Sequence, residues 1–179
     1  GVWSNISAQS MAGEPTVSEY DIFVSHEITL LNISINNTAA MYIFTGESGY
    51  PSTTEYMLRA EYYTGPIGYS TELAVDIMEY PGAYIVTHGI NYEKVFSEKL
   101  YLNTSITLSW AGSKYNFVNI GLEKNAFNFA GLDLSFTFYP NQSFYLKPHF
   151  QYNKLLDNEL KEFMEDHNTF FGILTGYTF

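Results

Sequence analysis

Cysteine is absent from the 179 residues of this chain, and basic residues are scarce. The lack of cysteine excludes a disulfide framework and a thiolate site. Lysine and arginine together number 8, against 19 aspartate and glutamate residues, which gives a formal net charge of −11. Because no basic cluster could neutralise a phosphate backbone, we expect no nucleic-acid partner.

Long apolar runs are also missing. The longest uninterrupted one covers residues 39–44, whereas a membrane-spanning helix needs about 20 such residues. The chain could therefore cross a bilayer only as a closed β-barrel, because the unpaired edges of an open sheet cannot be satisfied in lipid.

Aromatic residues, by contrast, are abundant. They make up 18% of the chain, mainly 16 tyrosines and 14 phenylalanines, while charged residues make up 15% against about 25% in an average soluble domain. The mean hydropathy is nevertheless −0.11. Strands that alternate apolar and polar residues cancel in such an average, so the composition is typical of a barrel with one lipid face and one wet face.

Apolar and polar residues alternate with period 2 along almost the whole sequence, interrupted by short turn signals. We predict one domain over residues 1–179 with an all-β fold, an antiparallel up-and-down transmembrane β-barrel of about 10–12 strands. The candidate strands are residues 1–10, 17–28, 31–45, 54–64, 68–79, 83–95, 99–111, 115–124, 127–139, 143–153 and 169–179. Eleven is an odd number, whereas these barrels normally have an even one. Either one candidate strand is wrong or upstream residues are missing from the chain.

The last ten residues alternate Phe171, Ile173, Thr175, Tyr177 and Phe179 with small or aliphatic residues on the other side. This strand resembles the terminal strand of bacterial outer-membrane barrels. The resemblance implies that Tyr177 and Phe179 form the signal read by the barrel-assembly machinery. The expected location is the bacterial outer membrane, and the expected partners are its lipid and lipopolysaccharide, with other envelope proteins as further candidates. A soluble β-sandwich or a lipocalin-like binder, with the apolar faces turned inward, has the same alternation and stays open.

Three short segments resemble a family of uncharacterised bacterial outer-membrane proteins known as Gcw_chp. They are Gly1-Val2-Trp3-Ser4-Asn5, then Glu19-Tyr20-Asp21-Ile22, and later Asn119-Ile120-Gly121-Leu122. The resemblance implies the fold and the location only. It supplies no catalytic residues.

Charged residues repeat on single faces of several candidate strands. A basic side chain that faced lipid at the middle of the membrane would destabilise the folded protein by about 2–4 kcal/mol, and an acidic one by less. We therefore predict that these residues line the barrel lumen. The predicted lumen-lining residues are Glu19, Asp21, Glu27, Arg59, Glu61, Glu72, Asp76, Asp133, Lys147 and His149. Two interpretations remain: paired charges with Arg59 and Lys147 as hubs, or a small cation-preferring pore, since acids outnumber bases.

No catalytic or metal-binding pattern is visible. Ser25 and Glu27 point away from His26, because neighbours along a strand face opposite sides, and no Gly-x-Ser-x-Gly elbow occurs. His167 belongs to an acidic segment, 154–167, that breaks the alternation and predicts an exposed loop with a helical turn. We expect no cofactor and no metal.

The sequence therefore predicts a non-enzymatic barrel, either a narrow channel or a structural or accessory subunit of an envelope assembly. The alternatives are a barrel enzyme that modifies outer-membrane lipid and the soluble binder named above.

Overall fold

The computed structural model of the chain describes residues 2–7, 16–44, 51–141 and 143–177. They form ten β-strands, one α-helix and one turn of 3₁₀ helix. The strands are β1 (Val2–Ser7), β2 (Thr16–Leu30), β3 (Ile33–Phe44), β4 (Thr53–Thr64), β5 (Ile67–Asp76), β6 (Tyr84–Ser97), β7 (Leu100–Ala111), β8 (Ala126–Phe138), β9 (Phe144–Leu155) and β10 (His167–Tyr177). Helix α1 is Ser113–Ile120, and the 3₁₀ turn is Leu160–Glu162.

All ten strands belong to one antiparallel sheet in sequence order, β1 to β10. The prediction of an all-β, up-and-down antiparallel sheet is confirmed. Within the described residues β1 and β10 do not pair, so the sheet is not closed there. Neither helical segment in the described part of the chain is long and apolar enough to cross a bilayer.

The candidate strand 115–124 is wrong, because these residues lie in α1 and the segment after it. Alternating Tyr115, Phe117 and other strand-favouring residues mislead a period-2 reading of this stretch. The helix begins after Gly112 and ends at Gly121, whose φ of 98° is left-handed. The Gly121 N–H donates to the carbonyl oxygens of Asn116 and Phe117, a common helix ending. Removing this strand leaves ten, so the odd count came from the false strand.

The connections differ at the two ends of the sheet. At one end, which we call the short-turn end, two-residue turns join β2 to β3, β4 to β5 and β6 to β7, and residues 139–143 join β8 to β9. At the other end, the loop end, residues 77–83, 112–125 and 156–166 form the described connections. The 156–166 segment is a loop with a 3₁₀ turn, as expected, but Leu160 within it is buried.

Cross-strand register assigns every strand residue to one of two faces. The polar face carries most of the hydroxyl, amide and charged side chains, and the apolar face carries most of the aliphatic and aromatic ones. Burial is opposite to that of a water-soluble protein. On the polar face Ser135 is 1% exposed and Ser109 is 7% exposed, whereas on the apolar face Ile106 is 61% and Ile173 is 69% exposed.

The sheet curves with its polar face inward. Arg59 in β4 and Lys147 in β9 are five strands apart, which is about 24 Å across a flat sheet. Yet both line a single cavity of about 230 Å³. The few large apolar side chains that are buried lie at the loop end, where Leu155 and Leu160 pack with Ala126.

Aromatic side chains form two rows on the apolar face. One row lies toward the short-turn end, with Tyr62, Tyr69 and Tyr92 on adjacent strands. The other lies toward the loop end, where the Tyr84 and Trp110 rings are 5.8 Å apart. Along β6, Tyr84 and Tyr92 are eight residues apart, about 27 Å along the strand. At the strand tilt of about 40° that membrane barrels have, this separation would correspond to about 21 Å along a barrel axis.

Candidate functional site

The polar face is the candidate functional site, and all ten residues predicted to line a lumen occupy register positions on it. Glu19 is assigned from its backbone pairing with Phe44 alone. That these residues bound an open lumen stays a prediction. Tyr177 is the last residue of β10, and Phe179, the other part of the expected assembly signal, lies outside the described residues.

Arg59 is the centre of one charge group. Its guanidinium lies 2.6 Å from the Glu61 carboxylate and 3.5 Å from that of Glu72 on the neighbouring strand. The Tyr63 hydroxyl also donates to Glu61, at 3.3 Å. Arg59 is therefore the hub that the sequence predicted, although its side chain is 41% exposed and such pairs stabilise weakly.

A second group lies across the curved sheet on β8 and β9. The His149 Nδ1 atom is 3.9 Å from the Asp133 carboxylate, and Lys147 occupies the same face of β9. Lys147 makes no ion pair within the described residues, so the prediction that it is a second hub is wrong. Instead it lines the cavity of about 230 Å³ together with Asp133 and the Arg59 group.

Two predicted residues have mainly structural partners. Asp76, only 5% exposed, accepts hydrogen bonds from the Thr53 hydroxyl at 2.6 Å and from the backbone N–H groups of Met78 and Tyr80. It thereby stabilises the turn after β5. Glu27 accepts a hydrogen bond from the Ser34 hydroxyl at 2.5 Å.

Ser135, His149 and Asp133 combine the residue types of a hydrolase triad, but their arrangement does not match one. Ser135 is the direct cross-strand partner of His149, yet its buried Oγ atom has no hydrogen-bond partner in the described residues. The Nε2 atom of His149 lies toward Gly172 of β10, 2.9 Å from where a Cβ at that glycine would stand. The two imidazole nitrogens therefore lie toward Asp133 and toward β10, and neither is hydrogen-bonded to the Ser135 Oγ atom, so the three residues do not form a triad in this geometry.

The other histidines are no closer to a catalytic set. His26 and His88 occupy the apolar face, where His88 Nδ1 lies 2.5 Å from the Thr71 hydroxyl. His167, at the start of β10, lies 2.5 Å from Asp166. Across the described ranges no group of three or more His, Asp or Glu residues could hold a metal ion.

Helix α1 folds over the polar face of β3–β5. Tyr115, Val118 and Asn119 of the helix line a cavity of about 220 Å³ with Glu55 and Asp76. Burial, and then the charge of Glu55, raise the pKa of Tyr115 to about 12. Sequence reasoning missed Glu55, although it shares strand parity with Arg59 and Glu61 and could have been found on that basis.

Side-chain hydrogen bonds fix α1 at the loop end, and ion pairs join the segment after it to the 156–166 loop. The buried Asn116 amide donates to the Lys124 carbonyl at 2.6 Å and accepts from Asn128 at 2.5 Å. The Lys124 Nζ atom lies 2.9 Å from Asp157 and 2.8 Å from Glu159 of the 156–166 loop. The hydrogen bond from Lys124, and those from the Leu160 and Glu159 N–H groups, lower the pKa of Asp157, although its burial opposes them.

No protein-family model matches this chain, and no curated protein matches it. The Gcw_chp resemblance therefore stays a prediction.

Proposed function

We propose that this chain is an integral β-barrel of the bacterial outer membrane that catalyses no reaction and acts as a narrow, acid-lined passage for small solutes. The inverted burial described above supports this proposal most directly. Aliphatic side chains such as Ile106 and Ile173 are exposed over a continuous surface, and such a surface marks a lipid or protein contact. Closure would require β1 to pair with β10, which removes both edges from lipid.

The aromatic rows support a membrane-spanning band, and the two ends of the sheet support its orientation. Outer-membrane barrels have short turns on the periplasmic side, longer loops outside and aromatic girdles at both interfaces. In this chain the two-residue turns share one end, and α1 and the 156–166 loop share the other. The short-turn end would thus face the periplasm.

The lining favours a passage over a catalytic pocket. Carboxylates outnumber Arg59 and Lys147 on the polar face. Among the described residues the only hydroxyl in hydrogen-bond contact with a histidine is that of Thr71, and it lies with His88 on the apolar face, outside this lining. The acid excess favours cations. Helix α1 lies over the polar face at the loop end and would narrow the lumen there. If the helix blocked the lumen, the chain would act as a structural or accessory subunit, which is the second candidate function.

Planar-bilayer conductance of the chain refolded in detergent tests this function. We expect steady steps with cation preference, and a larger preference in Arg59→Gln, which removes a cation beside Glu61 and Glu72. Lys161→Gln, in the 156–166 loop, is the matched control and should leave selectivity unchanged. Stable insertion without conductance would instead support the accessory role.

Two further measurements address the other classes. Heat-modifiable gel mobility in detergent is expected of a membrane barrel, whereas folding without detergent would support the soluble binder. Lipid vesicles containing the refolded chain should keep their acyl chains and head groups unchanged by mass spectrometry. A modified lipid would establish an enzyme.

A further inference from the structure

A third cavity, of about 690 Å³, lies on the polar face at the loop end, beneath the 156–166 loop. We call it the vestibule. Five strands, β6 to β10, contribute to its wall, and Met164 and Glu165 of the loop cover it. Its volume is in the range of about 300–1,000 Å³ that is usual for small-molecule sites.

The vestibule wall carries hydroxyl and amide groups that the protein leaves unused. Within the described residues, the side chains of Thr107, Gln151 and Asn153 take part in no hydrogen bond or ion pair. An amide and a hydroxyl each donate and accept, so these groups can hydrogen-bond a ligand that does both.

Gly131 forms a gap between two of these groups. It is the cross-strand partner of Thr107 on one side and of Asn153 on the other. A Cβ at this glycine would collide with the Thr107 hydroxyl and would stand 2.9 Å from the Asn153 Oδ1 atom. The absence of a side chain therefore keeps both polar groups accessible from the vestibule.

The wall of the vestibule is almost free of charge. No lysine or arginine is among its described lining residues, and its ionisable groups are Glu165 and His167, both exposed beside the loop. On the polar face the charged groups begin beside Gln151, at the short-turn side of the vestibule, where Asp133 is its direct cross-strand partner. Phe129, Leu155 and Met164 supply an apolar part of the wall.

From this wall we propose that the vestibule binds a neutral, polyhydroxylated solute of the size of a mono- or disaccharide. Its hydroxyl groups would bond the Thr107, Gln151 and Asn153 side chains, and its C–H faces would pack on Phe129. The site would be the entrance of the proposed passage, so the proposal rests on the proposed function for its biological use. Binding itself does not require conduction.

Saturation-transfer NMR with sucrose, and with the charged solutes glutamate and arginine, tests the vestibule in the detergent-refolded chain. Sucrose should receive saturation and the charged solutes should not. The double variant Gln151→Leu/Asn153→Leu should bind sucrose about tenfold more weakly or worse, because each lost hydrogen bond is worth about fivefold. Heat-modifiable mobility checks that each variant folds.

Asn103→Leu is the matched control, since this amide lies on the same face in the charged cavity and should not affect sucrose. Gly131→Ala should weaken binding without removing a polar group. Preferential binding of glutamate or arginine, equal binding by the double variant, or no sucrose binding by the folded chain would each overturn the proposal. Sucrose binding by a chain that does not conduct would retain the vestibule and refute the passage, so the two failures are distinguishable.

Discussion

A lysine at Ile106 should destabilise the protein strongly in a bilayer, because this side chain would lie near the centre of the membrane. Ile106 is on the apolar face of β7, five residues before the strand ends at Ala111. Five residues are about 17 Å along the strand and, at a tilt of about 40°, about 13 Å along the membrane normal. That is half of the apolar band of about 25 Å.

Ile106→Lys should therefore lower the free energy of unfolding by about 2–4 kcal/mol. Leu102→Lys, on the same face but two residues from the strand start, should cost only about 0–1 kcal/mol because it lies near an interface. Ser105→Lys, on the polar face, tests whether the cost belongs to the strand or to one of its faces. It should cost less than Ile106→Lys.

Denaturant unfolding from thin lipid vesicles, followed by tryptophan fluorescence, provides these free energies. A change within about 0.5 kcal/mol for Ile106→Lys would be the value of an ordinary surface substitution. That result would refute a lipid-facing position. Equal losses of unfolding free energy in Leu102→Lys and Ile106→Lys would also contradict the reasoning. If a protein partner rather than lipid covered this face, the loss would not depend on the depth of the residue in the membrane.

Three further predictions follow from single contacts. His88→Leu combined with Thr71→Val replaces both members of a polar pair on the apolar face, so the unfolding free energy in vesicles should be unchanged or higher. A clear decrease would show that the pair contacts polar surroundings rather than lipid. Gly68→Ala should destabilise by about 1–3 kcal/mol, because its Cβ would stand 2.7 Å from a tyrosine ring on β4, and an unaffected melting curve would contradict this packing. The pKa of Asp157 is lowered from 3.8 in the folded chain, so its contact with Lys124 stabilises above pH 3.8 and is lost as the pH falls through the lower folded value. Limited proteolysis of the 156–166 loop should therefore increase there. The increase should be smaller in Lys124→Met, in which only the hydrogen bonds from the Leu160 and Glu159 N–H groups still depend on the Asp157 carboxylate, and an equal increase would contradict the role of Lys124.

The sequence predicted the strands and their faces well, because period-2 alternation directly reflects the two environments of a strand. Residues such as Arg59 and Glu61 share a face by parity alone, whatever the neighbouring strand does. Helix α1 was missed because its eight residues are too few to give a clear helical period, while Tyr115, Phe117 and other strand-favouring residues alternate as in a strand. The available signal was the pair of glycines, 112 and 121, that bracket it.

Pairing between strands was beyond sequence reasoning. Whether Lys147 meets a carboxylate depends on register accumulated over several strands, and the register shifts within β6–β7 and β7–β8 pairing alter it. The orphaned Ser135 hydroxyl and the direction of the His149 ring depend on the same geometry. Period-2 patterns carry no information about such shifts.

The polar face has two chemically different zones, and their order has a consequence for the proposed passage. The vestibule at the loop end offers unpaired amides and hydroxyls, whereas the zone toward the short-turn end carries the Arg59 group and the unpaired Lys147. A solute that entered from the loop end would first exchange water for neutral hydrogen bonds and only then meet charges. Neutral solutes would thus be retained where cations pass without binding, and the charged zone would set the selectivity of the current. Sucrose in the vestibule should therefore reduce cation conductance by occupying the entrance while leaving the cation preference unchanged.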